Sequence, residues 1–203
     1  MFLVKKKPMK KHIFPANTNG VMKAMNKNNN ILNENISAES TLLNLDMIDN
    51  TKAACFSGHR NLPNDCRELK ISLTSAIKNL IKNGVVYFCA GGALGFDMLA
   101  EETVLELQKE YPQIKLVLFL PCPQKEQTLK WNDAQKQRYN SIFTQADSVR
   151  VISPKYTNGC MLERNRRLVD GSTHLICYLR KKWGGTFYTV KYAEEKNLNI
   201  IRL

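Results

Sequence analysis

From residue 53 onward, short apolar runs alternate with longer stretches in which apolar residues recur every three to four positions. Residues 53–57 read as a strand that runs into Ser57-Gly58-His59-Arg60. Across 65–83, Leu69, Leu73, Ala76, Ile77, Leu80 and Ile81 keep the spacing of a helix with one buried face, and Gly84 closes it. The same reasoning predicts strands over 85–90, 114–120, 148–152, 173–179 and 199–202, and helices over 94–111, 131–146, 159–170 and 186–196. Pro112 stops the second helix, and Pro121 and Pro123 stop the third strand. Apolar strands alternating with helices of this length imply a mainly parallel sheet covered on both faces. The expected fold of residues 51–203 is therefore α/β, a Rossmann-like three-layer sandwich.

Residues 1–50 break the pattern. They hold ten Asn, seven Lys and only two aromatics, Phe2 and Phe14, without sustained periodicity. Such a segment buries too little apolar surface to offset its ordering entropy, and a disordered extension is expected. A short helix near 38–48 is its one local signal, and Met47 stands as an alternative start.

Composition changes this picture in two respects. The formal charge is +12, of which the first fifty residues carry only +3, so the folded part is itself basic. That favours anionic partners, with an ordinary basic surface as the competing explanation. The six cysteines form no Cys-x-x-Cys pair, so no metal or thioredoxin-like motif is implied. Cys55, Cys89 and Cys177 lie in apolar runs, where a reduced thiol behaves as a small hydrophobe. No apolar run approaches the roughly 18–20 residues of a membrane helix, and the N-terminus lacks the apolar length of a signal peptide. The expectation is a reduced, cytoplasmic protein without a membrane partner.

In an open α/β sheet, ligands bind beyond the carboxyl ends of the strands. The candidates are therefore the residues that follow each strand. Gly58, His59 and Arg60 follow the first, and Gly91, Gly92, Gly95 and Asp97 follow the second. Arg164, Asn165 and Arg166 lie on the helix after the fourth, and Trp183, Gly184, Gly185 and Thr186 follow the fifth. Glycines let a backbone approach phosphate closely, and the free N–H groups of a helix N-terminus attract it. The Gly91-Gly92-x-x-Gly95 spacing differs from the Gly-x-Gly-x-x-Gly dinucleotide fingerprint, and a plain tight turn is its alternative explanation. Gly184-Gly185-Thr186 repeats the arrangement, with Arg180, Lys181 and Lys182 just upstream. Two such sites on one rim suit a diphosphate or a dinucleotide-sized ligand.

Arg164, Arg166 and Arg167 offer guanidinium forks for phosphate, although Arg164 and Arg166 cannot face the same way and Arg167 reads as solvated. His59 titrates near neutrality and suits acid–base work, but no carboxylate or nucleophile stands near it in sequence. Asp97 is placed to cap its helix or bind a ribose hydroxyl. Glu101, one turn on, would complete a carboxylate pair, with an exposed helix position as the plainer alternative. Trp131, Tyr139, Tyr156 and Trp183 are candidates to stack on a base, with core packing as the alternative.

The ordered series Cys55-Phe-Ser-Gly-His-Arg60, Ala90-Gly-Gly-Ala-Leu-Gly-Phe-Asp97 with Ala100 and Glu101, Pro121 with Trp131 and Tyr139, Arg164-Asn-Arg166, Asp170 and Gly184-Gly-Thr186 resembles the YpsA-like family of the SLOG superfamily. The resemblance spans about residues 53–203. It implies a Rossmannoid domain with a pocket for a nucleotide or a nucleotide-derived molecule, such as an ADP-ribose-like ligand. The superfamily also holds the LOG enzymes, which release a base from a nucleoside monophosphate, and DprA, which binds single-stranded DNA. The leading expectation is binding or sensing of a phosphorylated nucleotide derivative. One alternative is a LOG-like nucleotide-processing hydrolase drawing on His59, Asp97 or Glu101. The other is DprA-like binding of single-stranded nucleic acid. A homo-oligomer whose second subunit completes the site is compatible with the same rim.

Overall fold

The computed structural model describes residues 48–203. Apart from residues 48–50, the expected disordered extension, its helix signal and Met47 lie outside the described residues. The chain runs β1 (Ala53–Gly58), α1 (Arg67–Lys82), β2 (Tyr87–Ala90), α2 (Phe96–Leu107), β3 (Lys115–Leu120), the single-turn α3 (Gln124–Gln127), α4 (Asp133–Gln145), β4 (Ser148–Val151), α5 (Cys160–Asp170), β5 (His174–Tyr178), α6 (Gly185–Glu195) and β6 (Asn199–Arg202). The strands pair in the order β4-β3-β2-β1-β5-β6, and every pair is parallel.

Successive side chains of a strand point to opposite faces, and both faces of this sheet are buried. Ala54, Phe56, Phe88, Leu116 and Leu118 share one core with Leu73 and Ile77 of α1, Val104 of α2 and Ile142 of α4. Ala53, Cys55, Cys89, Val117 and Cys177 share the other with Leu168 and Val169 of α5 and Val190 and Ala193 of α6. The result is the α/β three-layer sandwich expected from the alternation. The chain builds outward from β1 to β4, then crosses back to place β5 on the other side of β1. Strand order reverses between β1 and β5, and that reversal opens a crevice at their carboxyl ends.

Two local differences from the expected elements have simple causes. Val85 and Val86 precede β2 because their N–H groups bond the carbonyls of Leu80 and Lys52 before the ladder begins at Tyr87. α3 carries too few residues to show any periodicity.

Candidate functional site

A cleft of about 330 Å³ opens where β1 and β5 part. Gly58, His59 and Arg60 line it from β1, and Ala93 and Asp97 from the segment after β2. Met161, Arg164 and Asn165 reach it from α5, and Lys181, Trp183, Gly184, Gly185 and Thr186 from the approach to α6. Gly91, Gly92, Gly95, Glu101 and Arg166 are not among its lining residues.

The two glycine loops differ in what occupies them. Gly184 is the N-cap of α6, with φ 90°, and no side chain caps the helix. A Cβ placed at Gly184 or Gly185 meets nothing within 4 Å. The first-turn N–H groups and the positive end of the helix dipole thus face open space at the cleft.

The Gly91–Gly95 loop is instead filled by the protein. Asp97 accepts hydrogen bonds from the backbone of Ala93 and Gly91. Glu101 Oε1 accepts from the Gly92 N–H at 2.8 Å, and Gln127 Nε2 donates to the Gly92 carbonyl at 2.7 Å. The Phe96 N–H, at the start of α2, bonds the His59 carbonyl at 3.1 Å. A Cβ at Gly91 would strike the Arg164 guanidinium, and one at Gly95 the Arg60 carbonyl. Gly92, at φ 61°, would place a Cβ 2.8 Å from the Tyr139 hydroxyl. The groups that engage these amides are the protein's own carboxyl groups. The two glycine loops expected to match therefore differ: the amides of one are engaged by the protein's own carboxyl groups, and the other opens on the cleft.

Behind the filled loop lie three buried charged side chains, Asp97, Glu101 and Arg164. Arg164 Nη1 stands 3.5 Å from Asp97 Oδ2, a long contact for an ion pair. A guanidinium carries five N–H donors, and Arg164 Nε has no partner. Burial pushes the Asp97 carboxyl up and the Arg164 guanidinium down, and their mutual attraction opposes both effects. Burial, reinforced by the neighbouring Asp97 charge, holds the Glu101 carboxyl well above its ordinary value. The neutral form of Glu101 is thereby favoured, and Asp97 and Arg164 are left as each other's counter-charge.

The remaining candidates separate clearly. His59 Nε2 accepts the Arg180 N–H at 2.8 Å, which puts the ring proton on Nδ1 and ties the loop after β1 to the loop after β5. Burial, with Lys181 and Arg180 nearby, pushes its pKa down. Asn165 Nδ2 donates to Thr189 Oγ1 at 2.8 Å, joining α5 to α6 at the edge of the cleft. Arg166 turns to the outer surface, 5.9 Å over the Tyr192 ring. Arg167 is solvated and pairs with Glu163. Tyr139 is fully buried beneath Gly92 with Trp131 packed on its edge, Tyr156 is exposed outside the cleft lining, and Trp183 alone of the four aromatics lines the cleft. Met161 and Gln127 carry no motif that would have selected them in advance. Among the described residues, no cluster of three or more His, Cys, Asp or Glu is arranged to hold a metal, and no helix is long and apolar enough to cross a membrane.

Comparison with known proteins places this architecture. UPF0398 proteins of Bacillus pumilus and Brevibacillus brevis are 30% and 31% identical over 129 and 131 residues, covering 62% and 63% of this chain and 68% and 69% of theirs. DNA processing protein A of Helicobacter pylori, described for its single-stranded DNA binding mode, superposes with TM-score 0.55 at 20% identity over 76% of this chain. DNA processing protein A (DprA) of Streptococcus pneumoniae gives TM-score 0.56 at 15% identity over 75% of this chain. The chain spans 66% and 50% of those two proteins, and the likeness establishes the fold they share. The family model described as the YspA SLOG family matches residues 58–200. That match covers well over half of the sequence, and the chain belongs to the YpsA family of SLOG proteins.

Proposed function

We propose that the cleft between β1 and β5 binds a mononucleotide or a nucleotide-derived phosphate, and that the domain acts as its receptor. The observation that carries this reading is that the uncapped N-terminus of α6 and the buried, incompletely partnered Arg164 line the same cleft. A phosphate seated on the first-turn amides of α6 would meet Arg164, Arg60 and Lys181, whose charges offset its own. Trp183, two-thirds exposed at the rim, offers a face for a base, and the Asp97 carboxylate an acceptor for a ribose hydroxyl. The cleft volume sits at the lower end of the range of about 300–1,000 Å³ found for ligand sites, which favours one nucleotide over two. A hydrolase has less support: Glu101 is sealed from the cleft, and the His59 Nε2 lone pair is already engaged.

A thermal-shift series with AMP, ADP-ribose and ribose 5-phosphate tests this. A ligand present at about one hundred times its dissociation constant stabilises by about 2.7 kcal/mol, a shift of several degrees. Trp183→Ala should leave the unliganded melting temperature unchanged and weaken AMP by about 1–3 kcal/mol through lost stacking. Absence of a shift with all three compounds contradicts the proposal.

A second reading, binding of single-stranded nucleic acid, is favoured by the exposed Trp183 and Tyr188 and by Lys181 lying 4.8 Å over the Trp183 ring. Oligonucleotide affinity would then fall with salt by a log–log slope of about −0.7 per phosphate contacted.

A further inference from the structure

Two thiols meet at the carboxyl edge of the sheet, outside the cleft lining. Cys122 lies in the Pro121-Cys122-Pro123 turn after β3, and Cys160 is the first residue of α5, which packs on β3. Both are buried, both are free, and neither belongs to either apolar core. Their side chains lie close enough for the Cys160 thiol to act on that of Cys122. Cys55 and Cys89, by contrast, face each other across the β1–β2 ladder, inside the core beneath α5 and α6. Cys160 also borders an opening to solvent of about 440 Å³, together with Thr157 and Gly159.

We infer that Cys122 and Cys160 are a modification site, a dithiol that a peroxide closes to a disulfide. Their roles differ. Cys160 is the first residue of an eleven-residue helix and borders the opening by which an oxidant arrives. Burial pushes the Cys122 thiol up to about 11, so it waits in its protonated form. Cys160 gives up its proton as its sulfur attacks one peroxide oxygen, the O–O bond breaks, and the departing hydroxide takes that proton to become water. Cys160 is left as a sulfenic acid. The Cys122 sulfur then attacks the Cys160 sulfur, the S–O bond breaks, and hydroxide leaves with the Cys122 proton as a second water. Two thiols are oxidised and one peroxide is reduced. The bridge fastens the first turn of α5 to the turn after β3, and Arg164 lies one helical turn further on.

The test is peptide mapping of the full chain after hydrogen peroxide treatment and alkylation. The expected product is a cross-linked Cys122–Cys160 peptide with the loss of two hydrogen atoms, reversed by dithiothreitol, and a melting temperature raised by several degrees. Cys122→Ser should trap Cys160 as a sulfenic acid that a dimedone probe labels, and Cys160→Ser should abolish the cross-link. The unmodified chain decides the matter even if a variant folds poorly. A cross-link through Cys55 or Cys89, or oxidation confined to Cys66, would overturn the inference.

Discussion

The loops at Gly91 and Gly184 begin from the same local design, a glycine pair at the end of a strand leading into a helix, and they end in opposite states. The first is closed by carboxyl groups from its own helix, Asp97 and Glu101, and by Arg164, Gln127 and Tyr139 from distant elements. The second leads into a helix that has no acid before Glu194, and its N-terminus is left uncapped. Backbone amides at a helix N-terminus attract an anion whatever its source. On the reading proposed above, what separates the two loops is whether the protein supplies its own carboxyl groups to the backbone amides.

The largest effect should come from Arg164→Met, which leaves Asp97 as a buried carboxylate without its counter-charge. A loss of about 3–5 kcal/mol in urea unfolding is expected. A loss below about 1 kcal/mol, the size of a surface pair, would mean that Asp97 is not held as an anion by Arg164.

A matched glycine pair sharpens the contrast. Neither Gly91 nor Gly185 has a positive φ, so alanine tests only the space around each. Gly91→Ala drives a methyl group into the Arg164 guanidinium and should cost about 1–3 kcal/mol or more. Gly185→Ala meets nothing and should change stability by no more than about 0.5 kcal/mol, while placing a methyl group at the proposed phosphate seat. Equal costs at the two positions would erase the distinction between filled and open loops.

A third test concerns Glu101, whose folded pKa lies well above its ordinary value of 4.5. The folded protein retains this proton where the unfolded chain has lost it. Stability from the neutral acid is therefore complete below the unfolded value and is lost as pH rises toward the folded one. Glu101→Gln keeps an acceptor for the Gly92 N–H and removes that dependence. Relative to this variant, the parent protein should lose about 1.4 kcal/mol for each pKa unit of the shift across that window. Parallel stability–pH curves for the two proteins would show that Glu101 is ionised in the fold.

Much of the fold was legible because its signals are local. The four inner strands are short apolar runs buried on both faces, and each long helix carries one apolar stripe, so alternation alone implied the sandwich. The rim was legible for the same reason: Gly58, His59, Arg60, Asp97, Arg164, Asn165 and Gly184 to Thr186 follow strands or open helices, and the cleft gathers them. The state of the Gly91 loop was harder to read. Asp97 and Glu101 gave a faint signal, as acids spaced one turn apart after the glycines. Gln127, Tyr139 and Arg164 come from other elements, and no local pattern ties them to Gly91 or Gly92. Arg166 was separated from Arg164 only by the orientation of α5, which the packing against β1 and β3 sets.

The most direct test of an open and a filled seat is an amide NMR titration of the folded domain with AMP. Saturable shifts are expected for the N–H signals of Gly185 and Thr186, and none beyond background for Gly91 and Gly92, whose backbone already serves Asp97 and Glu101. Shifts centred on Gly91 and Gly92, with Gly185 and Thr186 unmoved, would contradict it.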